Sequence, residues 1–132
     1  MDVKNLIRFG VVSAVFPERC ACRVTFEDRD GLVSAELPVL QSSCLNNKFY
    51  SLPDVGDNVV VLSFPNDQSG NSGVILGSFY TEKNPPPADN QDISMIKFGE
   101  GSSITFNRAD SSLTIDCKGE VIIKGKTIQL NP

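Results

Sequence analysis

The sequence predicts an all-β protein in two parts, a small barrel or sandwich followed by a short tail of repeated strands. Helical periodicity is almost absent, and short runs rich in β-branched and aromatic residues alternate with Gly, Pro, Asn and Asp clusters. Three consecutive prolines at 85–87 interrupt this pattern. After them the apolar runs are shorter and recur about every eight to ten residues. The two parts therefore follow different patterns, and the prolines mark their boundary.

The first part contains four to six strand candidates between residues 9 and 80. Apolar and polar residues alternate over 20–26, which places Cys20 and Cys22 on one face. A turn signal follows and a second strand returns, which predicts a hairpin over 20–40. Further strand candidates lie at 9–17, 59–64 and 73–80. A five-stranded barrel is the economical arrangement, because closure removes exposed sheet edges.

A Pro-rich linker over 83–94 is predicted to separate a barrel domain at 1–82 from a strand-repeat segment at 95–132. Consecutive prolines hold the chain extended and cannot continue a sheet ladder, because proline lacks the backbone N–H.

The tail is too small to fold around a core of its own, because each strand has a single apolar row. Three copies wound around a common axis would bury these rows and pair each strand with a neighbouring chain. The alternative is that the tail folds back and extends the sheet of its own barrel. The predicted trimer core consists of Ile104, Phe106, Leu113, Ile115, Val121, Ile123, Ile128 and Leu130.

The chain is predicted not to be an enzyme and to hold neither a metal nor a cofactor. It contains no histidine, which excludes histidine-based triads, general bases and zinc ligands. Its carboxylates lie mostly in turn sequences, where Asp is favoured for backbone reasons. The four cysteines match no zinc or redox spacing and are predicted to be small apolar side chains. A formal charge of −4 without a basic cluster disfavours nucleic acid as the main partner.

Five motifs occur in order over roughly residues 6–80: Arg8-Phe-Gly-Val-Val, Arg23-Val-Thr-Phe-Glu-Asp, Leu37-Pro-Val-Leu, Leu52-Pro-Asp-Val-Gly-Asp-Asn-Val-Val-Val-Leu and Gly73-Val-Ile-Leu-Gly-Ser-Phe-Tyr. In order and spacing they resemble phage baseplate assembly protein V. These are the central spike proteins of contractile tails, related to the spikes of type VI secretion systems and tailocins. The resemblance implies an N-terminal OB-fold barrel followed by a short intertwined trimeric β-helix, the needle. It also implies a homotrimer that contacts a baseplate hub protein and helps puncture the target envelope when the sheath contracts.

The sequence departs from the family in one respect. Some phage spikes end in an apex with an iron-binding His-x-His motif, whereas this chain has no histidine. We therefore expect a blunt trimeric end that carries a separate tip protein of the PAAR type. Its predicted docking residues are Ile128, Gln129, Leu130, Asn131 and Pro132. With no signal-peptide pattern at residues 1–5, assembly is expected in the bacterial cytoplasm, into a phage tail, tailocin or injection particle.

A second function class is compatible with the same strands. Eight aromatic residues between Phe9 and Tyr80 could be used by an OB-type barrel to stack bases. The alternative to a spike is therefore a monomeric binding module for single-stranded nucleic acid or carbohydrate.

Overall fold

In a computed structural model of the chain, residues 6–27, 31–64 and 72–132 are described. They form strands and one short 3₁₀ helix at Pro17–Arg19, which confirms the all-β prediction. The chain divides into two compact units, Met1–Pro85 and Pro86–Pro132, here called the N-terminal and C-terminal units.

The N-terminal unit has one closed sheet in its described residues. Its strands are β1 (Ile7–Phe16), β2 (Ala21–Phe26), β3 (Leu32–Val33), β4 (Leu37–Pro38), β5 (Asn58–Ser63) and β6 (Gly73–Ser78). They pair antiparallel in the order β3-β2-β1-β5-β6, and β4 also pairs with β2. Val39, directly after β4, forms a parallel bridge with Ile75 of β6, and the Leu40 N–H donates to the Ile75 carbonyl at 3.0 Å. This bridge returns the sheet upon itself.

The long first strand organises this sheet, because its two halves pair with different neighbours. Residues 7–11 pair with β5, and residues 11–16 pair with β2 across a bulge between Val12 and Ala14. A bulge bends a strand and increases its twist, which allows one strand to serve two sides of a closed sheet.

Alternation along the strands fills the interior of the N-terminal unit with apolar side chains. Each strand sends every second side chain inward, as the pleat of a strand requires. The buried cluster is formed by Val12, Cys22, Val24, Phe26, Leu37, Val59, Val61 and Ile75. Cys22 is fully buried within it, so this thiol acts as a small apolar side chain.

The predicted hairpin is present, since Thr25 and Phe26 of β2 pair with β3, although residues 28–30 of its turn lie outside the described residues. The prediction for Cys20 is wrong. Cys20 has a φ of 51° and closes the 3₁₀ turn, so β2 begins only at Ala21. The apparent alternation of Cys20 with Cys22 is therefore broken by a turn, and the two side chains do not share a strand face.

The C-terminal unit contains a separate three-stranded antiparallel meander. Its strands are β7 (Ile93–Phe98), β8 (Ser102–Asn107) and β9 (Ser112–Asp116). Gly99, with a φ of 58°, turns the chain from β7 into β8, a conformation that glycine adopts without strain. Ser111, with a φ of 59°, is the residue directly before β9.

Each tail strand was expected to pair with a neighbouring chain; within the single chain, β7, β8 and β9 pair with one another. The strand repeats were also expected to continue through the segment that ends at residue 132, but the described residues 117–132 form no strand. The alternative of a tail that extends the barrel sheet is also wrong for the described residues, since the meander is a sheet of its own. Apolar and polar residues do alternate in the tail strands, but this alternation does not specify which segment forms backbone hydrogen bonds with each strand.

Candidate functional site

The meander of the C-terminal unit exposes an apolar face. Its register places Ile96, Ile104 and Ile115 directly opposite one another across the three strands. Phe106 lies opposite Leu113 in the neighbouring row. Side chains opposite one another in an antiparallel ladder lie on the same face. We call this surface the tail face; it consists of Ile96, Phe98, Ile104, Phe106, Leu113 and Ile115.

All six side chains of the tail face are exposed, by between 37% and 63%. The opposite face carries mainly polar residues such as Lys97, Thr105 and Thr114. A sheet normally buries its apolar face against another layer. The C-terminal unit has no second layer of strands or helices to cover this face.

The structure brings together half of the predicted trimer core. Ile104, Phe106, Leu113 and Ile115 lie side by side on the tail face. Sequence reasoning missed Ile96 and Phe98, which belong to the same surface because β7 pairs with β8. The signal was their period-two spacing within residues 93–98, which is the same as in the next two strands.

The last segment of the chain, residues 117–132, has unpaired backbone and exposed apolar side chains. Within the described part of the chain, no backbone-to-backbone hydrogen bond joins this segment to another. The Lys118 N–H donates only to a side chain, the Ser102 hydroxyl, at 3.1 Å. Five aliphatic side chains are at least half exposed: Val121, Ile122, Ile123, Ile128 and Leu130. The other half of the predicted trimer core thus lies in a segment outside any strand.

The predicted tip-docking residues, 128–132, lie in the same segment. Ile128 is 51% and Leu130 86% exposed, and Asn131 has a φ of 49°. The structure does not join them to the meander as a further strand.

A second apolar surface lies on the outside of the N-terminal sheet. Inward-facing residues of β1, β5 and β6 alternate with outward-facing residues that are mostly apolar as well. The exposed members are Ile7, Phe9, Phe64, Leu76 and Phe79, which we call the outer face. Phe9 and Phe79 meet edge to face, with ring centroids 5.7 Å apart. The unbroken apolar run at 59–62 was the signal for a strand that is apolar on both faces.

One cation is enclosed by the N-terminal sheet. The Arg8 side chain points inward and is 2% exposed, and its guanidinium carbon lies 3.9 Å from the centroid of the Phe26 ring. A guanidinium stacked on an aromatic face is attracted by the electron density of the ring.

The perturbed titratable groups have structural causes. Arg19 forms a bidentate ion pair with Glu36, with N–O distances of 2.8 and 2.7 Å, and this hydrogen bonding lowers the pKa of Glu36. The Ser112 hydroxyl and N–H donate to Asp110 and lower the pKa of its carboxyl. Burial raises the pKa of the Cys22 thiol. These shifts come from hydrogen bonds at exposed residues and from the burial of a core thiol.

No group of three or more His, Cys, Asp or Glu side chains in the described residues is placed to hold a metal ion. Among the same residues there is also no helix long and apolar enough to cross a membrane.

No family model matches the chain, and no curated protein matches its sequence. The candidate functional surfaces are therefore the tail face with residues 117–132, and the outer face.

Proposed function

We propose that this chain is one protomer of a homotrimeric central spike in the baseplate of a contractile tail or injection machine. The observation that carries this proposal is the tail face together with the unpaired segment 117–132. Both expose apolar side chains, and among the described residues the segment makes no backbone-to-backbone hydrogen bond with another part of the chain.

Association with copies of the same chain would cover the exposed apolar side chains and would also supply backbone hydrogen bonds to the unpaired segment. The meander has open edges at β7 and β9, and an open edge can pair with an extended segment from another chain. Residues 117–132 of a neighbouring copy have unpaired backbone and an apolar row that could cover the tail face. Intertwined copies would form a stiff rod without free edges. The number of copies, three, comes from the resemblance to phage baseplate assembly protein V.

We infer further that the N-terminal unit is an OB-fold. An OB-fold is a five-stranded Greek-key barrel that closes through a contact between its third and fifth strands. The inference is supported by the cyclic order of β1, β2, β3 with β4, β6 and β5, and by the parallel bridge between Val39 and Ile75. In this assignment β3 and β4 are the two parts of one interrupted third strand.

The partners follow from the resemblance. The barrel contacts a baseplate hub protein, and the end of the tail carries a PAAR-type tip protein at residues 128–132. Sheath contraction drives the assembly through the target envelope, so the role is mechanical and needs neither an active site nor a cofactor. The particle would be assembled in the bacterial cytoplasm as part of a phage tail, a tailocin or an injection system.

The test is the mass of the purified chain in solution. Light scattering on a sizing column is expected to give a mass near three chains of 14.3 kDa. A mass of one chain would refute the spike and support the monomeric binding module instead.

A matched pair of variants locates the interface. Ile115→Asp places a charge on the tail face, whereas Thr114→Asp places the same charge on the opposite face of the same strand. Burying an unpaired carboxylate is costly, so Ile115→Asp is expected to yield monomers with an intact N-terminal sheet. Thr114→Asp should remain trimeric. Equal masses for the two variants would contradict the proposal.

A further inference from the structure

The outer face of the N-terminal unit has no role in the spike as proposed so far. Its five exposed residues lie on or directly after three adjacent strands, near half-buried Val60, Leu62 and Val74. None of the outward-facing residues of β5, β6 and positions 7–11 of β1 is charged. In a chain of which 21% is charged, an uncharged surface of this extent indicates that something covers it.

The size of the outer face indicates what kind of contact it can make. A phenylalanine side chain contributes on the order of 200 Å², so Phe9, Phe64 and Phe79, exposed by 60%, 52% and 39%, together leave roughly 300 Å². With Ile7 and Leu76 the apolar area is roughly 500 Å². An independent complex usually buries about 800 Å² on each partner. The outer face is therefore too small for a stable complex by itself and suits partners that are already held together.

Copies of the same chain are such partners. If the tails associate as proposed, residues 79–92 tether three N-terminal units to one assembly, at local concentrations on the order of millimolar. The charge pattern also favours copies. Rotational symmetry brings the same residue of each copy to the axis, so a charged residue on the face would lie close to the identical charge of the other copies and be repelled by it. An uncharged face avoids that repulsion.

We propose that the outer faces of the three copies converge on the threefold axis and form a second apolar contact in the trimer. This inference rests on the proposed trimer and adds an interface to it. Phe9, the most exposed phenylalanine of the face, is covered by neighbouring copies. The edge-to-face packing of Phe9 and Phe79 within one chain continues between chains, where aromatic pairs contribute to association beyond their buried area.

Hydroxyl-radical footprinting of the purified full chain tests this contact with an internal control. Phe9 and Phe49 are the same residue type and are equally exposed within one chain, by 60% and 58%. Phe49 lies in the loop between β4 and β5 and does not belong to the outer face. We expect Phe9 to be oxidised about threefold more slowly than Phe49, because covering it to about 20% exposure removes two thirds of its reactive area. In the Ile115→Asp variant, as a monomer, the two rates should be equal.

The outcomes separate this contact from the trimer itself. Equal rates in a protein with the mass of three chains would overturn the contact and leave the spike proposal standing. The same result would mean that a different protein, such as a hub, covers the outer face in the particle. A mass of one chain would refute the spike proposal first.

A charge on the face supplies an independent test. Leu76→Glu places three carboxylates at the axis, and Leu45→Glu places them on an exposed loop. Leu76→Glu is expected to keep the trimeric mass and to raise the oxidation rate of Phe9 about threefold, since like charges separate the faces. Leu45→Glu should change neither. An unchanged Phe9 rate in trimeric Leu76→Glu would overturn the inference.

Discussion

Gly10 is buried in β1 and faces the interior of the N-terminal unit, opposite Val59. A methyl group at this position would overlap Cγ1 of Val24 and lie 2.8 Å from the carbonyl oxygen of Thr25 and 3.1 Å from Cδ1 of Phe26. The valine can rotate, but the carbonyl belongs to the backbone of β2, which pairs with β1 at Val11. The added methyl can therefore be accommodated only if the two strands move apart.

The expected cost of Gly10→Ala is at the upper end of the range for overpacking, about 2–3 kcal/mol. For a unit of this size each kcal/mol lowers the melting temperature by about 4–8 °C, so a fall of about 10–20 °C is expected. Gly77→Ala is the control, since a methyl there meets nothing within 4 Å. That change should leave stability unchanged or raise it by up to about 1 kcal/mol, because alanine has less freedom in the unfolded chain.

Thermal unfolding followed by far-ultraviolet circular dichroism measures both variants. Measurement in the Ile115→Asp background removes any contribution from contacts between copies. The double variant Gly10→Ala with Val24→Ala should lose less stability than the two single changes together, because it removes one of the overlapping atoms. A Gly10→Ala protein that melts with the wild type would refute the steric argument, as would strict additivity in the double variant.

Three further predictions concern other parts of the chain. The ion pair with Arg19 lowers the pKa of Glu36, so the stabilisation by this pair is complete above the ordinary Glu pKa and is lost as pH falls through the lowered pKa. The Glu36→Gln variant lacks this ion pair. Acid titrations of folding should therefore show a smaller loss of stability for Glu36→Gln than for the wild type between about pH 5 and about pH 3. Burial and the raised pKa should keep Cys22 unreactive to maleimide until the protein unfolds, whereas exposed Cys44 reacts at once; mass spectrometry under native conditions distinguishes them. Removal of residues 126–132 should abolish co-purification of a tip protein, and unchanged retention would rule out docking there.

The sequence predicted the strands of the N-terminal unit well because their apolar period is reinforced by turn residues. Alternation over 20–26 and the run at 59–62 correspond to β2 and β5. The prediction for Cys20 failed, because the alternation of apolar and polar residues depends only on residue type. Cys20 fits that alternation, although its left-handed backbone places it in the turn before the strand. Sequence reasoning also missed the inward position of Arg8, since a charged residue in a strand is ordinarily assigned to the exposed face.

The candidate surfaces were predicted less completely than the strands. Apolar rows in the tail were evident from the sequence, and four of the predicted residues do lie together on the tail face. The contributions of Ile96 and Phe98 depended on pairing between β7 and β8, which residue types alone do not specify. The outer face combines residues of β1 with residues of β5 and β6, which lie far from β1 in the sequence, so no local pattern could have assembled it.

By itself, the sequence determined the all-β class, the change of pattern at the prolines and the excess of apolar residues in the tail. These depend on local properties, namely side-chain period, turn chemistry and the missing N–H of proline. Only the tertiary structure decided that β7, β8 and β9 pair with one another, that residues 117–132 form no strand with them, and that the part of the N-terminal sheet formed by β1, β5 and β6 carries apolar side chains on both sides. These features depend on which strands become neighbours, because an apolar side chain is equally stabilised by any partner that excludes water.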